Sequence, residues 1–162
     1  MRILSIIFCL FFVNYMLAQQ QTIYIVRHAE KDVSDLNVKD PNLSVEGKKR
    51  AKHLNHLLRN KKIEIAYSTP YKRTIQTLTP LVDSKKIELI KYNDHKILVS
   101  NIIDSNKNSI VAGHSNTILD IARQFGVKIN MNEVSEDDYS NLIIIKMRDK
   151  KNTVKIKKYN HR

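Results

Sequence analysis

Cysteine, glycine, proline and tryptophan are all scarce in this chain of 162 residues, which has one cysteine, three glycines, three prolines and no tryptophan. So few glycines and prolines exclude a collagen-like repeat or a low-complexity linker. The single cysteine, Cys9, lies in an apolar stretch near the N-terminus. If that stretch is removed, no disulfide and no cysteine-ligated metal can form.

Acidic residues are few relative to basic ones: 16 Asp and Glu stand against 28 Lys and Arg, a formal net charge of +12. Such a balance raises the question of a nucleic-acid partner. The lysines, however, are spread along the chain in short clusters, without interleaved aromatic residues on which bases could stack. We expect a lysine-rich, solvated surface that attracts anionic substrates, and no nucleic-acid partner.

The only long apolar run, residues 3–13, follows Arg2 and is followed by Ala18 and three glutamines. This pattern is typical of a secretory signal peptide, and the run is shorter than the roughly 20 apolar residues of a spanning helix. We predict a signal peptide over residues 1–18, cleaved after Ala18. The protein would then be exported, periplasmic or secreted, without stable membrane insertion, as one domain over residues 19–162.

Beyond residue 20, short apolar runs alternate with amphipathic segments, which predicts strands alternating with helices. Such an order favours right-handed crossovers and a mainly parallel sheet. The last two runs flank a short polar turn and predict an antiparallel hairpin at the sheet edge. We therefore predict an α/β three-layer sandwich with helices on both faces. The predicted strands cover residues 22–28, 63–68, 87–92, 110–113, 141–147 and 153–159, and the predicted helices residues 44–58, 73–82, 94–104 and 117–125.

Two histidines follow two of these apolar runs directly: His28 closes residues 22–28 and His114 closes residues 109–114. Arg27 precedes the first histidine, and Arg73 lies in the turn and helix that follow another predicted strand. The carboxyl ends of parallel strands meet at one edge of a sheet, where α/β proteins bind ligands. The four side chains are therefore expected at the same rim.

Four short motifs carry a family resemblance: Arg27-His28-Ala29-Glu30, residues 43–47 (LSVEG), residues 68–77 (STPYKRTIQT) and residues 113–117 (GHSNT). In this order and at these spacings the sequence resembles the histidine phosphatase (phosphoglycerate-mutase-like) superfamily. The resemblance spans residues 23 to about 118. It implies a small single-domain phosphatase that hydrolyses phosphate monoesters.

The resemblance also implies roles. His28 would be the nucleophile that forms a phosphohistidine, Arg27 and Arg73 would clamp the phosphoryl group, and His114 would donate a hydrogen bond to a phosphoryl oxygen. Arginine suits this task because its planar fork matches phosphate oxygens. Ser34 could add a hydrogen bond to phosphate, or serve only as a turn residue. The implied partner is a small phosphorylated substrate, with no metal and no cofactor.

The proton donor for the leaving group is open in the sequence. Phytase-like relatives carry an aspartate directly after the second histidine, where this chain has Ser115. Mutase-like relatives use a glutamate after the third strand, and the only acid offered there is Asp94, our first candidate. Glu136, in an acidic cluster before the final strands, is the alternative. With neither in place, the enzyme would depend on substrates with good leaving groups.

Other polar residues have simpler interpretations. Glu30 is expected to order its loop by pairing with a basic neighbour. His53 and His56 are three residues apart on a predicted helix, and their angular position indicates that they face water rather than a metal.

Three alternative functions stay open from the sequence: a non-catalytic phosphate-binding module of the same fold, a phosphoglycerate-mutase-like activity and a phosphohistidine-protein phosphatase. A mutase of this fold needs longer insertions than this chain has room for. Trapping of a covalent phosphoenzyme would distinguish a phosphatase from a non-catalytic phosphate-binding module. The physiological substrate and the oligomeric state cannot be read from the sequence.

Overall fold

The computed structural model describes residues 20–148 and 151–160. The predicted signal peptide and its cleavage site lie outside this range. None of the helices within the range has the length and apolar character needed to cross a bilayer.

In the described residues, strands alternate with helices from the first strand to the fifth, as the hydrophobic pattern predicts, and a sixth strand follows directly. Both helices of the first half are 14 residues long, whereas the later ones are shorter. The order is β1 (Gln21–Arg27), α1 (Val45–Leu58), β2 (Ile65–Ser68), α2 (Lys72–Lys85), β3 (Glu88–Lys91), α3 (His95–Ser105), β4 (Ser109–Gly113), α4 (Ile118–Gln124), β5 (Asn141–Met147) and β6 (Thr153–Lys158).

The strands form one six-stranded sheet in the order β3-β2-β4-β1-β5-β6. β3, β2, β4 and β1 are parallel to one another. β5 runs antiparallel to β1, and β6 antiparallel to β5, so the C-terminal hairpin forms one edge. This confirms the predicted mainly parallel sheet with an antiparallel hairpin at its edge.

Helices cover both faces of the sheet, as predicted. α1 and α2 bury Leu54, Leu58, Leu78 and Leu81 against one face. α3 and α4 bury a corresponding set, including Leu98, Ile102, Ile118 and Ile121, against the other. Each such side chain contributes about 1.5–3 kcal/mol through burial, so the two cores hold the sheet rigid. The recurrence of Ala51, Leu54, Leu57 and Leu58 at helical spacing predicts that Leu57 lies on the apolar stripe of α1, but its side chain is 42% exposed.

The start of α1 is fitted closely to the segment that follows β1. Ser44, whose place before the helical pattern predicts an N-cap, caps the helix by accepting a hydrogen bond from the amide of Gly47 at 3.1 Å. A β-carbon on Gly47 would lie 2.2 Å from the carbonyl oxygen of Glu30, so only glycine permits this approach. The Glu30 carboxylate pairs with Arg50 at 2.7 Å, which confirms its structural role. Together these contacts fix the backbone just beyond His28.

Pro80 lies inside the predicted helix 73–82, where a proline predicts a kink or an early end, but it does not shorten α2. The helix continues through the proline to Lys85. A proline inside a helix removes one backbone hydrogen bond and costs stability, but Leu78 and Leu81 on either side are fully buried. Tertiary packing of this apolar face outweighs the local penalty.

Candidate active site

The carboxyl ends of β1, β2 and β4 meet at one rim of the sheet and bring the four predicted residues together. Arg27 ends β1 and His28 follows it, while His114 follows β4. Arg73 lies in the first turn of α2, which begins four residues after β2. The rings of His28 and His114 are 5.4 Å apart between centroids, and a guanidinium nitrogen of Arg73 lies 3.5 Å from Nδ1 of His114.

His28 is held by backbone groups on both sides. Its amide donates to the carbonyl oxygen of Gly113 at 2.9 Å, which joins the ends of β1 and β4. Its ring Nδ1 lies 2.7 Å from the carbonyl oxygen of Ala29. A carbonyl oxygen can only accept, so Nδ1 carries the hydrogen and the Nε2 lone pair is left free for chemistry.

Both imidazoles are held in their neutral forms. Burial is the main cause that lowers the pKa of His28 to about 4, and the nearby charges of Arg27, Arg73 and His114 add to it. The Ala29 hydrogen bond opposes this shift without reversing it. Burial, followed by the charges of Arg73 and Arg27, also lowers the pKa of His114 to about 4. A neutral imidazole is the form that can act as a nucleophile.

His114 has a defined tautomer as well. Arg73 can only donate, so the Nδ1 atom of His114 accepts, and Nε2 carries the hydrogen. That Nε2 lies 3.1 Å from the hydroxyl oxygen of Thr69, which in turn contacts the hydroxyl of Thr74 at 2.8 Å. Thr69 directly follows β2 at the same rim, and the strand-end argument that found the histidines could have found it.

Arg27 is almost fully buried, with 2% of its surface exposed, and the loop before β5 surrounds it. One terminal nitrogen donates to the carbonyl oxygen of Ser135 at 2.8 Å, and the other donates to the Glu136 carboxylate at 2.9 Å. The guanidinium carbon lies 4.1 Å from the ring centre of Tyr139. The buried Nε–H has no acceptor among the residues the structure covers, and an oxygen of a bound anion would satisfy it.

Arg73 is oriented from the other side of the rim. Its guanidinium lies 3.5 Å from the Asp40 carboxylate and 4.4 Å from the ring centre of Tyr71. Tyr71 also meets His114 edge-on, with the ring centroids 5.3 Å apart. Arg27, at the end of β1, and Arg73, in the first turn of α2, are therefore each supported by a carboxylate and a tyrosine.

Of the two predicted proton donors, Glu136 lies against the site residues. Its carboxylate accepts from Arg27 and from the hydroxyl of Ser115, the residue after His114. The Ser115 hydrogen bond and then the charge of Arg27 lower the pKa of this carboxyl. Asp94 instead caps α3, accepting from the amides of Lys96 and Ile97 at 2.7 and 2.9 Å.

The remaining predicted residues lie apart from this cluster. Ser34 is in the exposed loop after β1, where its amide donates to the Asp32 carboxylate at 3.0 Å. His56 is exposed as expected, but His53 is half-buried and stacks on the ring of Tyr159 at 6.4 Å between centroids. Across residues 20–148 and 151–160, no group of three His, Cys, Asp or Glu side chains is placed to hold a metal.

Solved structures share this fold. YhfR from Bacillus stearothermophilus superposes with a TM-score of 0.64 at 13% identity, covering 83% of this chain and 95% of that one. A candidate phosphohistidine phosphatase, SixA from Agrobacterium tumefaciens, gives a TM-score of 0.64 at 14% identity, covering 84% and 97%. The mycobacterial glucosyl-3-phosphoglycerate phosphatase gives 0.62 at 9% identity, covering 78% and 90%. At such low identities the likeness concerns the fold alone.

Sequence matches over part of the chain indicate a family. Phosphoserine phosphatase 1 from Hydrogenobacter thermophilus is 38% identical over 71 residues, which cover 41% of this chain and only 34% of that relative. Residues 23–94 match the profile of the histidine phosphatase superfamily, branch 1, and this range holds most of β1 and all of α1, β2, α2 and β3, with Arg27, His28 and Arg73. Together with the motif order, this match makes residues 23–94 of the chain similar to the histidine phosphatase superfamily, branch 1.

Proposed function

We propose that this protein is a metal-independent phosphatase that hydrolyses small phosphate monoesters through a phosphohistidine on His28. The observation that carries the proposal is a neutral imidazole whose free Nε2 lies in a cluster with His114 and two guanidinium groups. Phosphoryl transfer mainly requires positioning of the nucleophile and neutralisation of charge on the phosphoryl oxygens. This rim supplies both from protein side chains.

In the first step, Nε2 of His28 attacks phosphorus and the bond to the leaving oxygen breaks, with a proton passing to that oxygen. In the second step, water attacks the phosphorus of the phosphohistidine and the P–N bond breaks, which releases inorganic phosphate and restores the imidazole. A proton of that water returns to the group that protonated the leaving oxygen. Arg27 and Arg73 bind the phosphoryl oxygens in both steps. His114 turns its N–H from Thr69 to an oxygen that gains charge in the transition state.

Glu136 is the proposed proton donor, in preference to Asp94, because it contacts both Arg27 and the residue after His114. Its pKa is lowered in the free protein, so the carboxyl is ionised when the site is empty. A bound phosphate dianion acts in the opposite direction, since a nearby negative charge disfavours ionisation of a carboxyl. Substrate binding would thus raise the pKa of Glu136, and the carboxylate would take up the proton that it later donates to the leaving group.

A leaving-group series tests this role. Changing Glu136 to glutamine should lower kcat for an alkyl phosphate by about 10²-fold, the usual range for losing general acid catalysis. An aryl phosphate needs little protonation, and its kcat should change by less than about threefold. Asp94→Asn is the matched control and should leave both substrates unaffected. Equal losses for alkyl and aryl substrates with Glu136→Gln would contradict the assignment.

The ionised state of Glu136 in the free protein favours a second candidate, a phosphatase acting on phosphohistidine in proteins. The P–N bond of phosphohistidine needs less help from a carboxylic acid than the P–O bond of an alkyl phosphate, which suits a site whose carboxyl has a lowered pKa and is ionised. One structural neighbour is named as a candidate phosphohistidine phosphatase. A phosphohistidine peptide and phosphoserine, compared as substrates, separate the two: a kcat/KM at least about 10²-fold higher for the peptide, unchanged in Glu136→Gln, supports this candidate.

The lowered histidine pKa values predict how the rim responds to acid. Imidazole NMR titrations should place His28 and His114 near pH 4 in the folded protein and near 6.5 after unfolding in urea. Between pH 4 and 6.5 the two histidines are protonated in the unfolded chain but not in the folded one. Their contribution to the free energy of unfolding is therefore complete above pH 6.5 and falls as the pH drops towards 4. Folded-state midpoints near 6.5 would contradict a neutral, buried pair.

Trapping of the phosphoenzyme tests the proposal as a whole. After brief incubation with a ³²P-labelled aryl phosphate in the presence of a chelator, the label should be covalently bound, acid-labile, alkali-stable and located on His28. Tight binding of phosphate or vanadate without any trapped label would instead identify a non-catalytic phosphate-binding module. Loss of turnover on chelation would remove the metal-independent mechanism.

We also propose that the protein acts outside the cytoplasm, in the periplasm or the medium. The support is the charged, apolar and small-residue pattern of residues 1–18. Fractionation of the native host tests it, together with the intact mass of the recovered protein. An exported species beginning at Gln19 is expected, and a cytoplasmic protein that retains Met1 would overturn the proposal.

A further inference from the structure

A second concave surface lies away from the catalytic rim, at the border between α1 and the C-terminal hairpin. It is a groove of about 500 Å³, which falls within the usual size of small-ligand sites. None of Arg27, His28, Arg73 and His114 lines it. Its far end, at Lys146 and Arg148, adjoins the amino end of β1, because Lys146 pairs with Thr22. His28 lies beyond the opposite end of that strand, about 20 Å away.

The groove is strongly cationic. Five basic side chains line it, and none of the carboxylates that the structure describes does so. Of the ion pairs formed within the structurally described chain, none involves any of these five residues. They come from the end of α1 and from both strands of the hairpin: Lys61, Lys146, Arg148, Lys155 and Lys157.

The floor of the groove is apolar. Leu142 and Ile144 of β5 face the same side of the sheet as Lys157 and Lys155, their cross-strand partners in β6. Leu57 of α1 adds an apolar side chain that is 42% exposed. This floor exists because β5 and β6 extend the sheet beyond the end of α1, so the helix layer covers this part of the face incompletely.

These features select among anionic ligands. A single-stranded nucleic acid requires exposed aromatic rings on which bases stack, and the only aromatic residue in the groove, Tyr24, is 7% exposed. Long lysine side chains around an aliphatic floor instead suit a molecule with an anionic end and an alkyl body, because their stems cover apolar surface while their charges stay in water. The concave shape favours one bound molecule over a flat bilayer.

We propose that this groove is a binding site for a single-chain anionic amphiphile, a molecule with a carboxylate or phosphate head and an alkyl chain. The head contacts the lysines of β6 and the end of β5, and the chain lies on Leu57 and Ile144. The proposal is independent of the catalytic reaction, since the groove shares none of the four rim residues.

The test uses dodecanoate, below its critical micelle concentration, and amide NMR of the full domain. Dodecanoate should bind saturably and shift amides of β5, β6 and the end of α1, and butanoate should bind at least about 10²-fold more weakly because it lacks the chain. A neutral maltoside with the same chain should also bind weakly, because it lacks the charge.

Surface variants make the test specific. Lys155→Gln combined with Lys157→Gln should weaken dodecanoate binding about tenfold through loss of two charge contacts, and Leu57→Asn about fivefold through loss of apolar contact. Both change partly exposed side chains, so folding should be preserved. The control pair Lys96→Gln with Lys128→Gln removes the same charge from exposed positions outside the groove and should leave affinity within about twofold.

Four outcomes would overturn the proposal. The first is dodecanoate shifts confined to the catalytic rim. The second is equal weakening by the control pair, which would indicate general attraction to a basic protein. Binding to vesicles of anionic phospholipid without binding of monomeric dodecanoate would make the groove a membrane-facing patch instead. Tighter binding of an oligonucleotide or an acidic peptide at the same amides would assign the surface to a macromolecule.

Discussion

Substitution of His28 by alanine should lower the turnover of an aryl phosphate by about 10⁴-fold or more, since losing a catalytic nucleophile removes the whole covalent pathway. The residue is the only one at the rim whose free ring nitrogen is set by a backbone contact, from Nδ1 to the Ala29 carbonyl at 2.7 Å. No other neutral nucleophile in the cluster is positioned in the same way, because Nε2 of His114 already contacts Thr69.

The measurement is steady-state hydrolysis of an aryl phosphate, with circular dichroism to check the fold. His56→Ala is the matched control, because it removes an exposed imidazole from α1 and should leave kcat unchanged. In the His28→Ala protein, phosphate should still bind within about tenfold of the original affinity, since both guanidinium groups are retained. Turnover above about a tenth of the original rate would remove His28 as the nucleophile.

The rim was predictable from the sequence because it depends on short segments with strong local signals. His28 and His114 each follow a buried strand, and parallel strands place their carboxyl ends at one edge. No information about long-range packing was needed beyond that rule. The same applies to the helix start at Ser44 and to the alternating hairpin, whose pattern is confirmed in β5 and β6.

The surroundings of Arg27 could not be predicted in this way. Ser135, Glu136 and Tyr139 reach it across more than 100 residues of sequence, from a loop without periodicity or motif. Their placement depends on how the chain returns from α4 to β5, which only the folded structure defines. Asp94 illustrates the converse: its position after β3 suggested a catalytic acid, whereas a carboxylate preceding a helix is also the usual N-cap, and that is its role.

Arg27→Lys should lower kcat/KM by about 10³-fold even though the positive charge is preserved. A guanidinium carries five N–H donors and an ammonium three. The guanidinium of Arg27 already donates three hydrogen bonds within the protein. Two go to the Ser135 and Asp138 carbonyl oxygens at 2.8 and 3.5 Å, and one goes to the Glu136 carboxylate at 2.9 Å. The remaining donors include the buried Nε–H, which has no acceptor among the described residues, and these are the donors that the proposed mechanism assigns to the phosphoryl group.

A lysine at this position could bond either the loop of residues 135–139 or the phosphoryl group, but not both. Hydrogen exchange of the loop amides shows which of the two it bonds. If the ammonium stays with the loop, phosphate affinity falls and hydrogen exchange of amides 135–139 is unchanged. If it binds phosphate, those amides exchange faster when the site is filled. Arg123→Lys is the control, because Arg123 bonds Asp120 and Met131 outside the rim, and it should retain full activity. A kcat/KM for Arg27→Lys within about tenfold of the original would show that charge alone suffices and that the fork geometry of Arg27 is not what holds the transferring group.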